Sequence, residues 1–318
     1  LPVMLGQILW RPQVVMVIEP TVFCAPQAWL TARLSGAKAW LHIQDLEIDA
    51  AFALGILPSS LLSRIISGLD SWLMRRFDRV STISRGMMAR LKSKGVPPER
   101  MFFLPNWADT ERMQPDYEKA KDFRRKHEIG PEDFVVLYSG NLGLKQGLEI
   151  VLEAASELKD ENRLLFILCG DGPAKTDLET KAHQKNLTNV RFLPVQPNED
   201  LAAMLSAADV HLVIQKRGAA DLVMPSKMTN ILAVGGLAVI TADENTELGR
   251  LVKDNPGIAV LIEPESSDAL IQTLRNLISP GEKRGGPVAA ARKYAEEHMD
   301  REAVLGRFHN EMERLVVQ

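Results

Sequence analysis

Ten short apolar runs recur along the chain, and most are separated by segments whose apolar residues repeat at helical spacing. The runs are VVMVIE (14–19), AKAWLHI (37–43), DRVSTIS (78–84), MFFLP (101–105), FVVLYSG (134–140), RLLFILCG (163–170), NVRFLP (189–194), DVHLVI (209–214), LAVIT (237–241) and IAVLI (258–262). They are strand-length and rich in β-branched residues, and several are continuously apolar, as strands buried on both faces are. QGLEIVLEAASEL (146–158) and EDLAAMLSAA (199–208) repeat apolar residues at i, i+3, i+4 and i+7, the stripe that covers a parallel sheet. The pattern predicts an α/β chain with doubly wound, Rossmann-like sheets.

At 318 residues the chain exceeds the usual size of one core. The alternation lapses in the polar stretch NWADTERMQPDYEKAKDF (106–123) and restarts at Phe134. We therefore expect a first domain over 1–106, a second over 107–287, and C-terminal helices over 288–318 that pack across the junction. Six strand runs follow the boundary and four precede it, and the chain starts without Met, so the first domain reads as truncated, with its opening strands before Leu1.

Hydrophobic residues at 46% and charged residues at 25% indicate a soluble globular protein, and a net charge of −3 argues against a nucleic-acid partner. Glu19-Pro20 and Gly235-Gly236 interrupt the candidate apolar spans, so no transmembrane helix is expected, and LPVMLGQILWRP lacks the basic start and cleavage site of a secretory signal. Cys24 and Cys169 lie in apolar contexts and read as buried free thiols of a reducing, cytoplasmic compartment. The residue pattern suggests no metal and no cofactor.

Open α/β sheets bind ligands beyond the carboxyl ends of their strands. There the second domain carries SGNLGLKQG, CGDGPAK, PVQPNED and QKRGAADLVMPSK. The last runs from a glycine-containing loop into a helix beginning at Pro225, Ser226 and Lys227. Lys216, Arg217 and Lys227 near that helix start suit a phosphate or diphosphate, as does Lys145 in the first loop. Each feature also has a plain alternative: an ordinary strand-to-helix turn, or a lysine kept for solubility. GDGPAK is not the dinucleotide fingerprint, and no G-x-x-x-x-G-K-[ST] occurs.

In the first domain, LHIQDLEIDA places His42, Asp45, Glu47 and Asp49 at a strand's carboxyl end. His42 reads either as a site residue facing the second domain's loops or as a structural hydrogen-bonding group. ISRGMMARLKSKG (83–95) reads as a helix with a solvated basic face of Arg85, Arg90, Lys92 and Lys94. LLSRIISGLDSWLMRRF (61–77) is amphipathic; Trp72 beside Arg75-Arg76 could touch anionic lipid, with core packing the alternative.

With these loops in order, the chain resembles the family 4 glycosyltransferases of two-domain GT-B architecture. LSGAKAWLHIQDLEIDA, VSTISRGMM, FLPNWAD, LYSGNLGLKQGLE, VIQKRGAAD, PSKMTNILAVGG and PGIAVLIEPES carry the resemblance, which runs from VIEPTVFCAP to the C-terminus. It implies transfer of a sugar from a nucleotide diphosphate sugar to a lipid-linked saccharide acceptor, with GDP-fucose the expected donor and anomeric configuration retained. It further implies a role in extracellular, colanic-acid-like polysaccharide biosynthesis, with peripheral contact at the inner face of the cytoplasmic membrane. Residue by residue, the resemblance implies that Gly140, Asn141, Lys145, Ser226 and Lys227 face the donor diphosphate and that Gly170 and Gly172 form the turn near the nucleotide. Leu193 to Val195 would read the base, Lys216, Arg217 and Asn230 would complete the donor site, and His42 and Asp45 would serve the transferred sugar. Asn141 and Gln146 stand where the wider family has an arginine and a lysine, while Leu222 and Asn230 stand in place of its paired glutamates. Two rival readings remain: a nucleotide-sugar-binding protein without turnover, and a two-domain, non-hydrolysing nucleotide-sugar epimerase.

Overall fold

The computed structural model describes residues 2–18, 21–46, 61–217, 225–279 and 288–317. The chain divides into two compact units. One comprises Leu1–Asn106 with Glu302–Gln318, the other Trp107–Ala220 with Pro225–Arg301. All ten apolar runs form strands, each one to three residues shorter than its run.

In the first unit, β1 (Val14–Ile18), β2 (Lys38–Ile43), β3 (Arg79–Thr82) and β4 (Met101–Phe103) pair in parallel in that order. Helices Thr21–Ser35, Leu61–Met74 and Arg85–Ser93 belong to this unit. Ser84 starts the last of these by accepting the Met87 N–H at 3.1 Å, so the second serine of VSTIS is a side-chain cap. Lys94, expected on a solvated basic face, is buried instead, with Nζ 3.0 Å from Asp70. Cys24 also departs from expectation: it is exposed, because it lies on the outward side of helix Thr21–Ser35, while Cys169 is buried at the end of a central strand. The C-terminal helix Arg301–Val317 brings Phe308 against Trp40, ring centroids 5.1 Å apart, and Glu311 to 2.6 Å from Arg79. The preceding helix Ala289–His298 belongs to the second unit, where Arg292 donates to the carbonyls of Thr110 and Met113.

The second unit holds β5 (Phe134–Ser139), β6 (Leu164–Cys169), β7 (Val190–Leu193), β8 (Val210–Val213), β9 (Ala238–Thr241) and β10 (Ala259–Ile262) in the order β10-β9-β8-β5-β6-β7. The central strands are buried along nearly their whole length and the edges only partly, as their composition requires. The chain winds outward from β5 to β7 and then returns to lay β8 beside β5. That reversal is a topological switch point, and it leaves the loops after β5 and β8 without a crossover above them.

Candidate functional site

The loops beyond β5 and β6 are locked together before any ligand is considered. Gly140 N–H donates to the Cys169 carbonyl at 2.9 Å and Gly170 N–H to Leu193 at 3.0 Å, which carries the ladder one residue past each strand. A Cβ on Gly170 would lie 1.9 Å from the Gly140 carbonyl oxygen, and one on Gly172 would lie 2.4 Å from Asn141 Oδ1. Both residues have positive φ, 151° in each case, so sterics and backbone conformation require glycine there. These two glycines admit a neighbouring loop. Leu142 completes the clamp: its N–H donates to Asp171 at 2.8 Å, and its carbonyl accepts from Ala174 at 2.9 Å.

Lys227 opens the seven-residue helix Lys227–Ala233 after β8 and crosses to β5. Its Nζ lies 3.6 Å from the Tyr138 ring centroid, and Cε and Nζ stand 3.2 Å from where a Gly140 Cβ would be. Nζ is shielded from solvent and, among the described residues, has no hydrogen-bond partner. The ring face offsets part of the lost hydration, but burial still pulls the ammonium pKa down to about 7. Tyr138 is itself fixed by a 2.8 Å bond from its hydroxyl to the Asn141 carbonyl, and burial raises its pKa. This aromatic platform was not read from the sequence, where Tyr138 is one more apolar member of a strand.

Around this cation the structure gathers most of the expected residues. Lys216 N–H donates to the Lys145 carbonyl at 3.2 Å, and the Lys216 stem lies against Gly147, so the β5 and β8 loops are joined. Asn141 and Lys145 are exposed on the same loop, and Ser226 is exposed at the helix start. Ser226 makes no side-chain cap bond, because its backbone is already in the right-handed helical region. Gln146 Oε1 and Gln215 Oε1 are buried without donors beside these loops.

Three residues stand apart. Arg217 does not add charge to the cluster, because its guanidinium lies 2.9 Å from both Asp243 and Glu263, and its N–H donates to Glu265. Asn230, one helical turn beyond Lys227, lines a cleft of about 400 Å³ with Trp107, Arg112, Asn198 and Arg301. Val195 is exposed just past β7. Residues 218–224, and with them Asp221 and Leu222, lie outside the described residues.

In the first unit His42 is buried in β2 and both ring nitrogens are engaged. Gln44 Nε2 lies 2.8 Å from His42 Nε2 and can only donate, so the ring proton sits on Nδ1 and is donated to Ser81 Oγ at 2.9 Å. Ser81 Oγ also accepts from Trp40 Nε1 at 2.8 Å. Burial lowers the His42 pKa to about 4, so the ring is neutral near pH 7. It is built to hold Gln44, a residue missed by sequence reasoning, at the strand end. Asp45 follows, half-buried, whereas Glu47 and Asp49 lie outside the described residues.

Comparison with known proteins fixes what these parts belong to. Residues 119–294 match the family model of group 1 glycosyl transferases and residues 2–107 a glycosyl transferase 4-like domain. The chain is a family 4, group 1 glycosyltransferase. It is 44% identical over 314 residues to WcaI of Escherichia coli (strain K12), a glycosyl transferase named for colanic acid biosynthesis, with 97% of this chain and 76% of that protein covered. The probable glycosyltransferase WbjE of Pseudomonas aeruginosa is 27% identical over 75% of this chain and 59% of its own length. Among solved structures, HepE of Anabaena in complex with UDP and glucose superposes with a TM-score of 0.79 at 15% identity, covering 98% of this chain and 82% of that one. WaaG, a glycosyltransferase of lipopolysaccharide biosynthesis, superposes with a TM-score of 0.65 at 17% identity over 88% and 80%. Each unit of this glycosyltransferase is thus a Rossmann-like parallel sheet of the GT-B type.

Proposed function

We propose that this glycosyltransferase takes GDP-fucose as donor and transfers the sugar, with retention, to a lipid-linked saccharide in a colanic-acid-like exopolysaccharide pathway. The observation that carries the donor class is Lys227: a shielded ammonium with no acceptor among the described residues, at the switch point of the sheet, beside the β5 loop. An anion of two phosphates supplies what that cation lacks, and the exposed Asn141 and Lys145 and the half-buried Lys216 add donors along the same loops. Gly140, Gly170 and Gly172 hold the loops in register, Ser226 offers a hydroxyl at the helix start, and Val195 and Asn230 flank the nucleoside. As the bond to the sugar breaks, negative charge grows on the leaving diphosphate, and cations already in place stabilise it without reorganisation. In this reading Arg217 keeps its loop in place through Asp243 and Glu263. His42 and Asp45 serve the transferred sugar, with His42 a neutral hydrogen-bonding group that positions Gln44. Support for the pathway comes from the 44% identity over nearly the whole chain to WcaI, which is named for colanic acid biosynthesis.

The test is melting temperature against a panel of GDP, GDP-fucose, UDP and UDP-glucose, followed by transfer to a lipid-linked acceptor with the product anomer read by NMR. GDP-fucose should raise the melting temperature at concentrations where UDP-glucose does not, since a ligand stabilises by RT ln(1 + [L]/Kd). A response to the uridine ligands alone overturns the donor assignment. An inverted anomer overturns retention.

A further inference from the structure

The cleft that Asn230 lines has two walls, and one side chain is bonded to both. Trp107 and Arg112 belong to the segment that opens the second unit, and Asn230 to the helix Lys227–Ala233. Arg292, on the helix Ala289–His298, donates through Nη1 to the Met113 carbonyl at 2.7 Å and to the Ala233 carbonyl. Its Nη2 donates to the Thr110 carbonyl at 3.0 Å, and its Nε to Glu296 at 2.6 Å, one turn along the same helix. The side chain is largely covered, with 20% of its surface in water. The Ala233 carbonyl is one of the last-turn acceptors that a helix cannot satisfy by itself, and a cation at that end also suits the helix dipole. A backbone bond secures the same end, from Val288 N–H to the Gly235 carbonyl at 2.7 Å.

A helix of seven residues has too few hydrogen bonds of its own to stay in place without tertiary support. Its first residue is Lys227, and its last is tied through Arg292 to the carbonyls of Thr110 and Met113, so the guanidinium fixes how far the helix stands from the opposite wall. So short a helix moves as one body, and slack at Ala233 is passed on to the ammonium at the other end. We propose that Arg292 is a positioning residue of the donor site: by bonding both walls of the cleft it holds Lys227 where the diphosphate meets it. Arg292 is turned to protein acceptors and acts only through the helix, as a supporting group does for the residue that touches the ligand. Lysine is no substitute, because a point-like ammonium cannot span carbonyls on two segments as the planar fork does. This role rests on the donor reading of Lys227.

The experiment is calorimetric titration of GDP and of UDP into the parent, Arg292→Lys, Lys227→Met and the double variant, read with whichever nucleotide the parent binds more tightly. Arg292→Lys should weaken binding by about fivefold to twentyfold. In the double variant the loss should be smaller than the product of the two single losses, since a helix without its ammonium gains little from being held in place. Glu296→Gln, which loosens only the hold on Nε, gives a milder form of the same cycle, with a loss of about threefold, and serves where Arg292→Lys folds poorly. Two controls separate positioning from stability. Leu274→Val, in the buried core of the second unit, should lower the melting temperature and leave affinity unchanged. Lys293→Ala, whose exposed side chain lies 3.8 Å from Glu297, should change neither. Parent-like affinity in Arg292→Lys and Glu296→Gln overturns the proposal, and so do losses that multiply in the double variant. An affinity unmoved by Lys227→Met removes the donor reading instead, and the role of Arg292 with it.

Discussion

Lys227 is the residue whose environment departs furthest from what its side chain prefers. An ammonium removed from water without an acceptor is destabilising, and with its pKa near 7 about half of the molecules carry it neutral at pH 7. A bound diphosphate favours the charged form and raises that pKa, so above pH 7 donor binding must take up a proton. The affinity for GDP should therefore fall as pH rises from 7 toward 9, by up to about tenfold per unit, and titration calorimetry in buffers of different ionisation enthalpy should show the proton uptake. Lys227→Met should bind GDP about 10 to 100 times more weakly at pH 7 and lose the slope. A slope that survives in Lys227→Met places the titrating group elsewhere. The sequence announced this lysine through its place after Pro225-Ser226, yet Arg217, equally basic and ten residues earlier, is neutralised by carboxylates from the β9 and β10 ends. Charge in a loop is legible, but its partner across the sheet is not, because ion pairs between distant segments leave no local pattern.

At the level of elements, the strands were legible because burial on both faces demands continuous apolar runs, and all ten appear. Helix starts were less so. The periodicity of 146–158 suggested a helix from Gln146, but the chain turns first, with Gln146 N–H donating to Gly143 at 3.3 Å and Gly147 at φ 70°, and the helix begins at Glu149. Apolar spacing does not register a turn that shares its residues. The resemblance assigns Gly170 and Gly172 to a turn near the nucleotide, and the structure adds what the sequence does not show, that both make room for the β5 loop itself. Gly170→Ala forces a methyl group to within 1.9 Å of the Gly140 carbonyl and must push the two loops apart. The fold should survive with a loss of about 1–3 kcal/mol, since only one strand end is displaced. GDP affinity should fall as well, although Gly170 has no side chain to offer a ligand. Denaturant unfolding and calorimetry on the same variant check both, and unchanged GDP affinity would separate the clamp from the site.

For the whole molecule, the α/β class, the two sheets and the family were legible from alternation and motifs, while the allocation of Glu302 onward to the first unit rests on Phe308 and Glu311, which single-helix periodicity cannot assign. Each unit also buries a histidine in a central strand: His42 in β2 and His211 in β8, both held neutral with pKa values lowered to about 4 by burial. Among the described residues His211 has no partner on either ring nitrogen, and its ring lies 2.5 Å from where a Gly236 Cβ would be. In the unfolded chain both histidines regain a pKa near 6.5. Between pH 6.5 and 4 the unfolded state thus binds more protons than the folded one, so stability is full above pH 6.5 and is lost on acidification through that window. Each histidine contributes up to about 3 kcal/mol to that loss, at about 1.4 kcal/mol per pKa unit. Calorimetric melting from pH 7.5 to 4.5 should show a steady fall in melting temperature above the range where carboxylates titrate. His211→Val, apolar and matched to a buried strand, should melt higher than the parent at pH 5 and flatten the acid response of the second unit while leaving that of the first. Hydrogen exchange resolved by segment distinguishes the two, and an unaltered acid response of β8 and β9 in His211→Val would show that this histidine is not what makes the unit acid-sensitive.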